Sequence, residues 1–218
     1  MNLFTSNQDK EQEGNYNEEI ILPLPDSEVI YYPNFYSIEE ASSLFENLKT
    51  NTHWQQDDIT VYGKSYPQPR LTAYYSLENM IYSYSGISMN TMPFTPTLLQ
   101  IKNKIEGNIT EKFNAVLLNL YRDGNDSMGW HSDDEKELGE NPVIASISLG
   151  EERMFNLRHK NNKLLKFKFL LQHGSLLLMK GKTQHFWQHQ IPKSKKINKS
   201  RINLTFRIIK KLPKNIVE

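Results

Sequence analysis

His131-Ser132-Asp133 sets an imidazole and a carboxylate two residues apart. Alternate side chains of an extended segment share a face, so both groups point the same way. His173, His185 and His189 follow downstream, His189 close before a last strand-like run. Two imidazoles and one carboxylate gathered on one side of a metal leave its other side open. That is the facial arrangement of non-haem iron oxygenases, in which co-substrate and dioxygen both need a place on the ion. A His-x-Asp triplet alone is weak evidence, because such triplets also occur in ordinary surface loops.

The last run supplies the second half of the chemistry. Arg201, Asn203, Thr205 and Arg207 alternate with Ile202, Leu204, Phe206 and Ile208. Read as a strand, one face is wholly polar and the other wholly apolar. An ordinary amphipathic strand would turn the polar face to water. Two planar guanidiniums on one face also suit a small dianion, each able to grip a carboxylate with two hydrogen bonds. In the run from Ala115 to Tyr121, Asn119 and Tyr121 share a face while Leu118 and Leu120 point the other way. One polar cavity, holding an acidic co-substrate beside a metal, accounts for both runs.

The elements that must position these groups can be read from pattern and punctuation. Ser37-Ile38-Glu39-Glu40 has capping-box spacing, and Leu44, Phe45 and Leu48 continue at helical intervals. Thr95 as cap, Pro96 at the first helical position and Gly107 as stop frame a second helix, with Leu98, Ile101 and Ile105 on one side. After Phe113 the chain changes to short β-type runs at 115–121, 143–149, 166–171, 175–179 and 202–208, divided by turn residues such as Asp123-Gly124-Asn125 and His173-Gly174. The fold class expected is mainly β with flanking helices (α+β), around a jelly-roll core. The expected division is a disordered leader over 1–19, helices and a recognition region over 20–112, a catalytic core over 113–210 and a tail over 211–218, with 20–210 forming one compact domain.

Composition narrows the function classes. The chain has 218 residues, enough for one substantial core, and Lys plus Arg (26) nearly balances Asp plus Glu (25). Affinity for nucleic acid must then come from local basic patches. There is no cysteine, which excludes disulfides, thiolate zinc sites and a cysteine nucleophile. The first residues lack the basic start and apolar stretch of a signal peptide, and no apolar run is long enough to span a membrane. An intracellular monomer, cytoplasmic or nuclear, is expected.

Several stretches together resemble the AlkB family of Fe(II)/2-oxoglutarate dioxygenases that repair alkylated nucleic acid. They are Asn119-Leu120-Tyr121-Arg122-Asp123-Gly124, Gly129-Trp130-His131-Ser132-Asp133-Asp134-Glu135, Ile144-Ala145-Ser146-Ile147-Ser148-Leu149-Gly150, Arg158-His159-Lys160, His173-Gly174-Ser175-Leu176-Leu177 and Arg201-Ile202-Asn203-Leu204-Thr205-Phe206-Arg207. The resemblance runs from about Pro23 to Lys210. It implies a double-stranded β-helix with His131, Asp133 and His189 as iron ligands; of the three downstream histidines, His189 sits at the matching position. Arg201 would pair with the distal carboxylate of 2-oxoglutarate, helped by Asn119 and Tyr121, while Asn203 and Arg207 support its metal-side end. Asp134 and Glu135 would help hold Arg207 and face the substrate base. The implied co-substrates are 2-oxoglutarate and dioxygen, and the implied products are succinate, carbon dioxide, formaldehyde and the restored base.

Substrate choice falls to the N-terminal third. A base inside a duplex must be flipped or come from a single strand before it can reach a buried metal. Aromatic faces that could stack on it are plentiful: Tyr62, Tyr66, Tyr74, Tyr75, Tyr82 and Tyr84, with Trp130 beside the metal motif. Tyrosines in strands are more often packing residues. Val61-Tyr62-Gly63-Lys64 resembles the Val-Phe-Gly-Lys finger of the AlkB homologue acting on double-stranded DNA, with Tyr in place of Phe. Ile81-Tyr82-Ser83-Tyr84-Ser85-Gly86 and Pro69-Arg70 match that homologue's base-pocket region, which makes Arg70, Tyr82 and Tyr84 candidates for the base. The long basic loop of the duplex-specific homologue is absent after Arg158-His159-Lys160. Lys193, Lys195, Lys196 and Lys199 form the one dense basic run and are candidate phosphate contacts. The expected activity is removal of methyl groups from 1-methyladenine and 3-methylcytosine types of lesion in DNA. Its alternatives are an RNA or single-strand demethylase of the same family, and a hydroxylase of protein or small molecules.

Overall fold

The computed structural model describes residues 19–61, 63–77, 82–84, 87–89 and 91–210, with the backbone alone at 59–61, 82–84 and 87–89. Both predicted helices form. Ser37 caps the helix Ile38–Asn51: its hydroxyl accepts from the Glu40 amide at 3.1 Å, and the Glu40 carboxylate accepts from the Ser37 amide at 3.0 Å. Thr95 caps Pro96–Glu106 by accepting from the Leu98 amide. Each satisfied donor removes an orphan amide of the first turn, worth about 1 kcal/mol.

Two large sheets carry most of the remaining described chain. The larger runs, edge to edge, Ile20–Ile21, Glu28–Tyr32, Ser175–Lys180, Ile144–Gly150, Arg201–Arg207, Ala115–Tyr121, Leu71–Ser76 and Thr91–Pro93. The smaller runs Met128–His131, Trp187–Ile191, Arg153–His159 and Lys166–Leu171. Leu117 and Tyr121 of the larger sheet share a core cluster with Phe155, Leu157, Trp187 and Ile191 of the smaller, so the two sheets face each other. On the other side of the larger sheet, Leu118, Ile147, Leu204 and Phe206 pack with Leu48, Leu98, Ile101 and Ile105 of the helices. The helices therefore cover the apolar face of the strand Arg201–Arg207, and its polar face turns inward between the sheets.

The larger sheet draws strands from both halves of the chain. Leu71–Ser76 was not legible as a strand because it is buried on both sides, with Tyr74 in the inter-sheet cluster and Ala73 and Tyr75 in the helix-side cluster. Such a strand shows no polar alternation. Two hairpins stand off the sheets. Asp58–Val61 pairs with Lys64–Pro67, Gly63 before the second strand taking a positive φ of 75°, and Tyr82–Tyr84 pairs with Ile87–Met89. Residues 1–18 and 211–218, assigned above to a leader and a tail, lie outside the described residues.

Candidate metal and co-substrate site

Strand pairing brings the metal-ligand candidates together. His131 ends the strand Met128–His131 and lies directly opposite His189 of Trp187–Ile191. Their rings are 4.2 Å apart between centroids, and one donor atom from each of His131, Asp133 and His189 falls within 4.8 Å of the others. Asp133 Oδ2 lies 3.6 Å from His189 Nε2.

The surroundings fix these groups in ligand-ready form. His131 Nδ1 lies 2.9 Å from the Gly129 carbonyl, which can only accept, so Nδ1 carries the proton and Nε2 keeps a free lone pair. The Phe155 ring stacks on His189 at 5.2 Å. The Asp133 amide donates to Gln184 Oε1 at 2.9 Å, and Ser132 Oγ donates to the Trp187 carbonyl at 2.9 Å. Burial and the adjacent His131 pull His189 down to about 3, and burial also lowers His131, so both imidazoles are neutral at pH 7. Burial alone would raise the Asp133 carboxyl; the charge of Arg207, which donates to Asp133 Oδ1, outweighs it and holds the group well below the usual carboxylate range. Two neutral imidazoles and one carboxylate form a hard, partly anionic donor set that suits a divalent first-row ion.

A cavity leads away from this trio. Asn119, Tyr121, Arg201, Asn203, Thr205 and Arg207 line it together with His131, Asp133 and His189. Register explains the grouping: Arg201 pairs with Tyr121 and Asn203 with Asn119 on one side, Asn203 with Ser148 and Thr205 with Ser146 on the other. Asn203 Nδ2 donates to Ser146 Oγ at 2.7 Å and to the Ile147 carbonyl at 3.1 Å, while Thr205 Oγ1 donates to Asn203 Oδ1 at 2.9 Å. Arg201 is only 1% exposed. Its Nη2 donates to Ser148 Oγ at 2.9 Å, but Nε and Nη1 are buried without an acceptor among the described residues. Burial pulls this guanidinium down to about 10, so it stays charged at neutral pH. A buried cation with unused donors is a receptor for a carboxylate.

Other expected site residues fall elsewhere. Arg70 is buried against the cavity wall, its Nε donating to Asn119 Oδ1 at 2.8 Å. Trp130, expected in the base pocket, does not line the cavity. It lies under the Arg158 guanidinium at 4.3 Å, which in turn donates to Gln188 Oε1; the strand shifts register between Met128 and His131, so that both of these line the cavity and Trp130 does not. Asp134, expected to help hold Arg207, is exposed and pairs with Lys160 at 3.2 Å, while Arg207 donates to Asp133. Glu135 is half-buried. Tyr62 and the side chains of Tyr82 and Tyr84 lie outside the described residues. Tyr74 and Tyr75 are buried packing residues, whereas Tyr66 is half-exposed on the first hairpin.

Lys193, Lys195, Lys196 and Lys199 are exposed on a fixed turn. Gly124 donates to the Ile197 carbonyl at 3.0 Å and accepts from the Ser194 amide at 2.8 Å. His173 is no ligand: its Nδ1 accepts from the Gly150 amide and its Nε2 faces Ser42 Oγ at 3.1 Å. Among residues that the sequence reading passed over, Ser146 and Ser148 had a visible signal, alternating with isoleucine and leucine as Asn119 and Tyr121 do. Gln184 and Phe155 had none, since each acts through a contact made only in the fold.

Comparison with known proteins agrees with this geometry. A family model described as the 2OG-Fe(II) oxygenase superfamily matches residues 28–207. The alpha-ketoglutarate-dependent dioxygenase alkB homolog 3 of Bos taurus is 44% identical over 213 residues, covering 91% of this chain and 72% of the relative. The DNA oxidative demethylase ALKBH2 of Homo sapiens is 35% identical, covering 82% and 72%. The solved structure of OsALKBH1 superposes with a TM-score of 0.62 at 15% identity, over 88% of this chain and all (100%) of that one, a likeness of fold. By matched length, identity and the His131, Asp133, His189 cluster, this chain belongs to the AlkB family within the 2OG-Fe(II) oxygenase superfamily.

Proposed function

We propose that this protein oxidatively removes methyl groups from alkylated bases, of the 1-methyladenine and 3-methylcytosine type, in DNA. The observation that carries the reading is one cavity with a three-ligand cluster at one end and a charged, donor-rich Arg201 at the other. In this family the cofactors are Fe(II), 2-oxoglutarate and dioxygen, and the residues present fit them. His131, Asp133 and His189 would hold the iron, and Arg201 would receive the distal carboxylate. Iron, when bound, would couple the two-electron oxidation of 2-oxoglutarate to succinate and carbon dioxide by one oxygen atom of dioxygen to hydroxylation of an N-methyl carbon by the other, and that carbon then leaves as formaldehyde.

The chain's own residues supply position and shielding. The Gly129 carbonyl fixes the His131 tautomer, and Arg207 keeps Asp133 ionised and oriented. Tyr121, Asn119 and Asn203 form the polar wall along which the co-substrate lies, while Phe155, Met128 and Ile191 exclude water from it. The exposed lysine turn is the proposed contact to phosphate and Tyr62 the proposed filler of the gap left by a flipped base, with Arg70, Tyr82, Tyr84, Asp134 and Glu135 the proposed contacts to the base itself. The protein acts as a monomer in the cytoplasm or nucleus in this reading. No helix among the described residues is long and apolar enough to cross a membrane.

One observation favours a single strand as substrate. After Arg158, the His159 Nδ1 accepts the amides of Asn161 and Asn162 at 3.2 and 3.1 Å, closing a tight turn with no reach toward an opposite strand. Formaldehyde release from a 1-methyladenine oligonucleotide, alone and annealed, tests both readings. The activity must require added iron and 2-oxoglutarate; absence of formaldehyde from either substrate under those conditions rejects demethylation.

A further inference from the structure

Tyr121, which lines the cavity beside Arg201, has a second buried guanidinium against its ring. Arg153 is 1% exposed and opens the strand Arg153–His159 opposite Leu171. Its Nη1 donates to the Asp123 carbonyl at 3.1 Å, and its Nη2 donates to the Asp126 and Pro192 carbonyls, both at 2.8 Å. The Tyr121 ring centre lies 5.5 Å from the Arg153 guanidinium carbon and 5.3 Å from that of Arg201. Neither arginine forms an ion pair with a carboxylate among the described residues. The acidic side chain nearest in the same loop, Asp126, is occupied by Arg122 through two bonds of 2.8 Å.

Burying a cation against neutral carbonyls alone is costly. If Arg153 served only to tie the loop 122–127 to Pro192, a neutral donor would do so without that cost. Two guanidiniums against one aromatic ring instead leave a net positive field where the cavity ends, and fix the ring that forms its wall. We propose that Arg153 is a positioning residue for the distal carboxylate of the co-substrate, holding Tyr121 against Arg201 and adding a second positive charge to that end. The assignment rests on the co-substrate reading of Arg201.

The test is binding, not turnover. Protein loaded with Mn(II) under nitrogen is titrated by calorimetry with 2-oxoglutarate and with 2-oxopentanoate, which has the same carbon chain without the distal carboxylate. The measured quantity is the ratio of the two dissociation constants. Arg153→Met and Arg153→Gln are expected to lower the preference for 2-oxoglutarate about tenfold, and Arg153→Lys to keep it within about threefold. A merely structural role would weaken both ligands equally; an unchanged preference in the neutral variants, or an equal fall in Arg153→Lys, overturns the proposal. Should the neutral variants not fold, Asp126→Asn tests the same field with opposite sign and is expected to raise the preference; no rise overturns it. Wild-type protein that did not distinguish the two ligands would instead reject the co-substrate reading of Arg201.

Discussion

Replacing Gly124 by alanine adds one methyl group at the point where the lysine turn is fastened. An ideal Cβ there would overlap the Ser194 carbonyl oxygen and lie 2.8 Å from that of Ile197. Both obstacles are backbone, which cannot rotate away as a side chain can. Either the turn 194–197 moves off, losing the two bonds it makes with Gly124 at about 1 kcal/mol each, or the overlap is absorbed as overpacking at about 1–3 kcal/mol. The expected loss is therefore about 2–3 kcal/mol, a fall in Tm of about 4–12 °C for a chain of this size. Gly129→Ala is the control, since a Cβ at Gly129 meets nothing within 4 Å, and it is expected to stay within about 0.5 kcal/mol of wild type. Thermal and urea melts of the two variants measure the difference. Equal stabilities for Gly124→Ala and Gly129→Ala would refute the fastening of the turn. A second readout follows from the same displacement: nucleic-acid affinity should fall in Gly124→Ala, while 2-oxoglutarate binding to the Mn(II) form should not.

Changing Lys193, Lys195, Lys196 and Lys199 together to glutamine should flatten the salt dependence of nucleic-acid binding, by about 0.9 in the log–log slope for each lost duplex phosphate contact. Binding titrations over a series of salt concentrations check this, and an unchanged slope removes the turn from the interface. His131→Ala should abolish turnover and Mn(II) binding together. Arg201→Ala should abolish turnover yet retain the metal, with 2-oxoglutarate affinity at least about a hundredfold weaker, as for the loss of a buried charge-assisted contact. For metal-free protein, the His189 imidazole holds its proton less tightly when folded (about 3) than when unfolded (about 6.5), so the unfolded chain binds the extra proton between those values. Stability should then fall as pH drops through that window, and His189→Gln should remove about one proton from the slope measured by urea melts across pH.

Much of the site was legible because its chemistry is written in period two. Arg201, Asn203, Thr205 and Arg207 declared a polar face, and Asn119 and Tyr121 a matching one. What the pattern did not state was which face met water; that depended on the helices Ile38–Asn51 and Pro96–Glu106 covering Ile202, Leu204 and Phe206. Trp130 shows how local irregularity hides facing: a register shift between Met128 and His131 brings both of these into the metal cavity and leaves Trp130, between them, under Arg158. Leu71–Ser76 was missed because double burial erases alternation, and Glu28–Tyr32 because a strand of five residues offers too few positions to establish one. Arg153, Gln184 and Phe155 were silent because each takes its role from residues far away in the chain.

The reversed facing of Arg201–Arg207 also separates robustness from reactivity. Its apolar side, buttressed by Leu98, Ile101 and Ile105, can be repacked with hydrocarbons of equal volume without touching a single group that meets iron or oxo acid. Engineering for heat tolerance should begin on that helical flank, with swaps that conserve volume, and leave the polar interior alone.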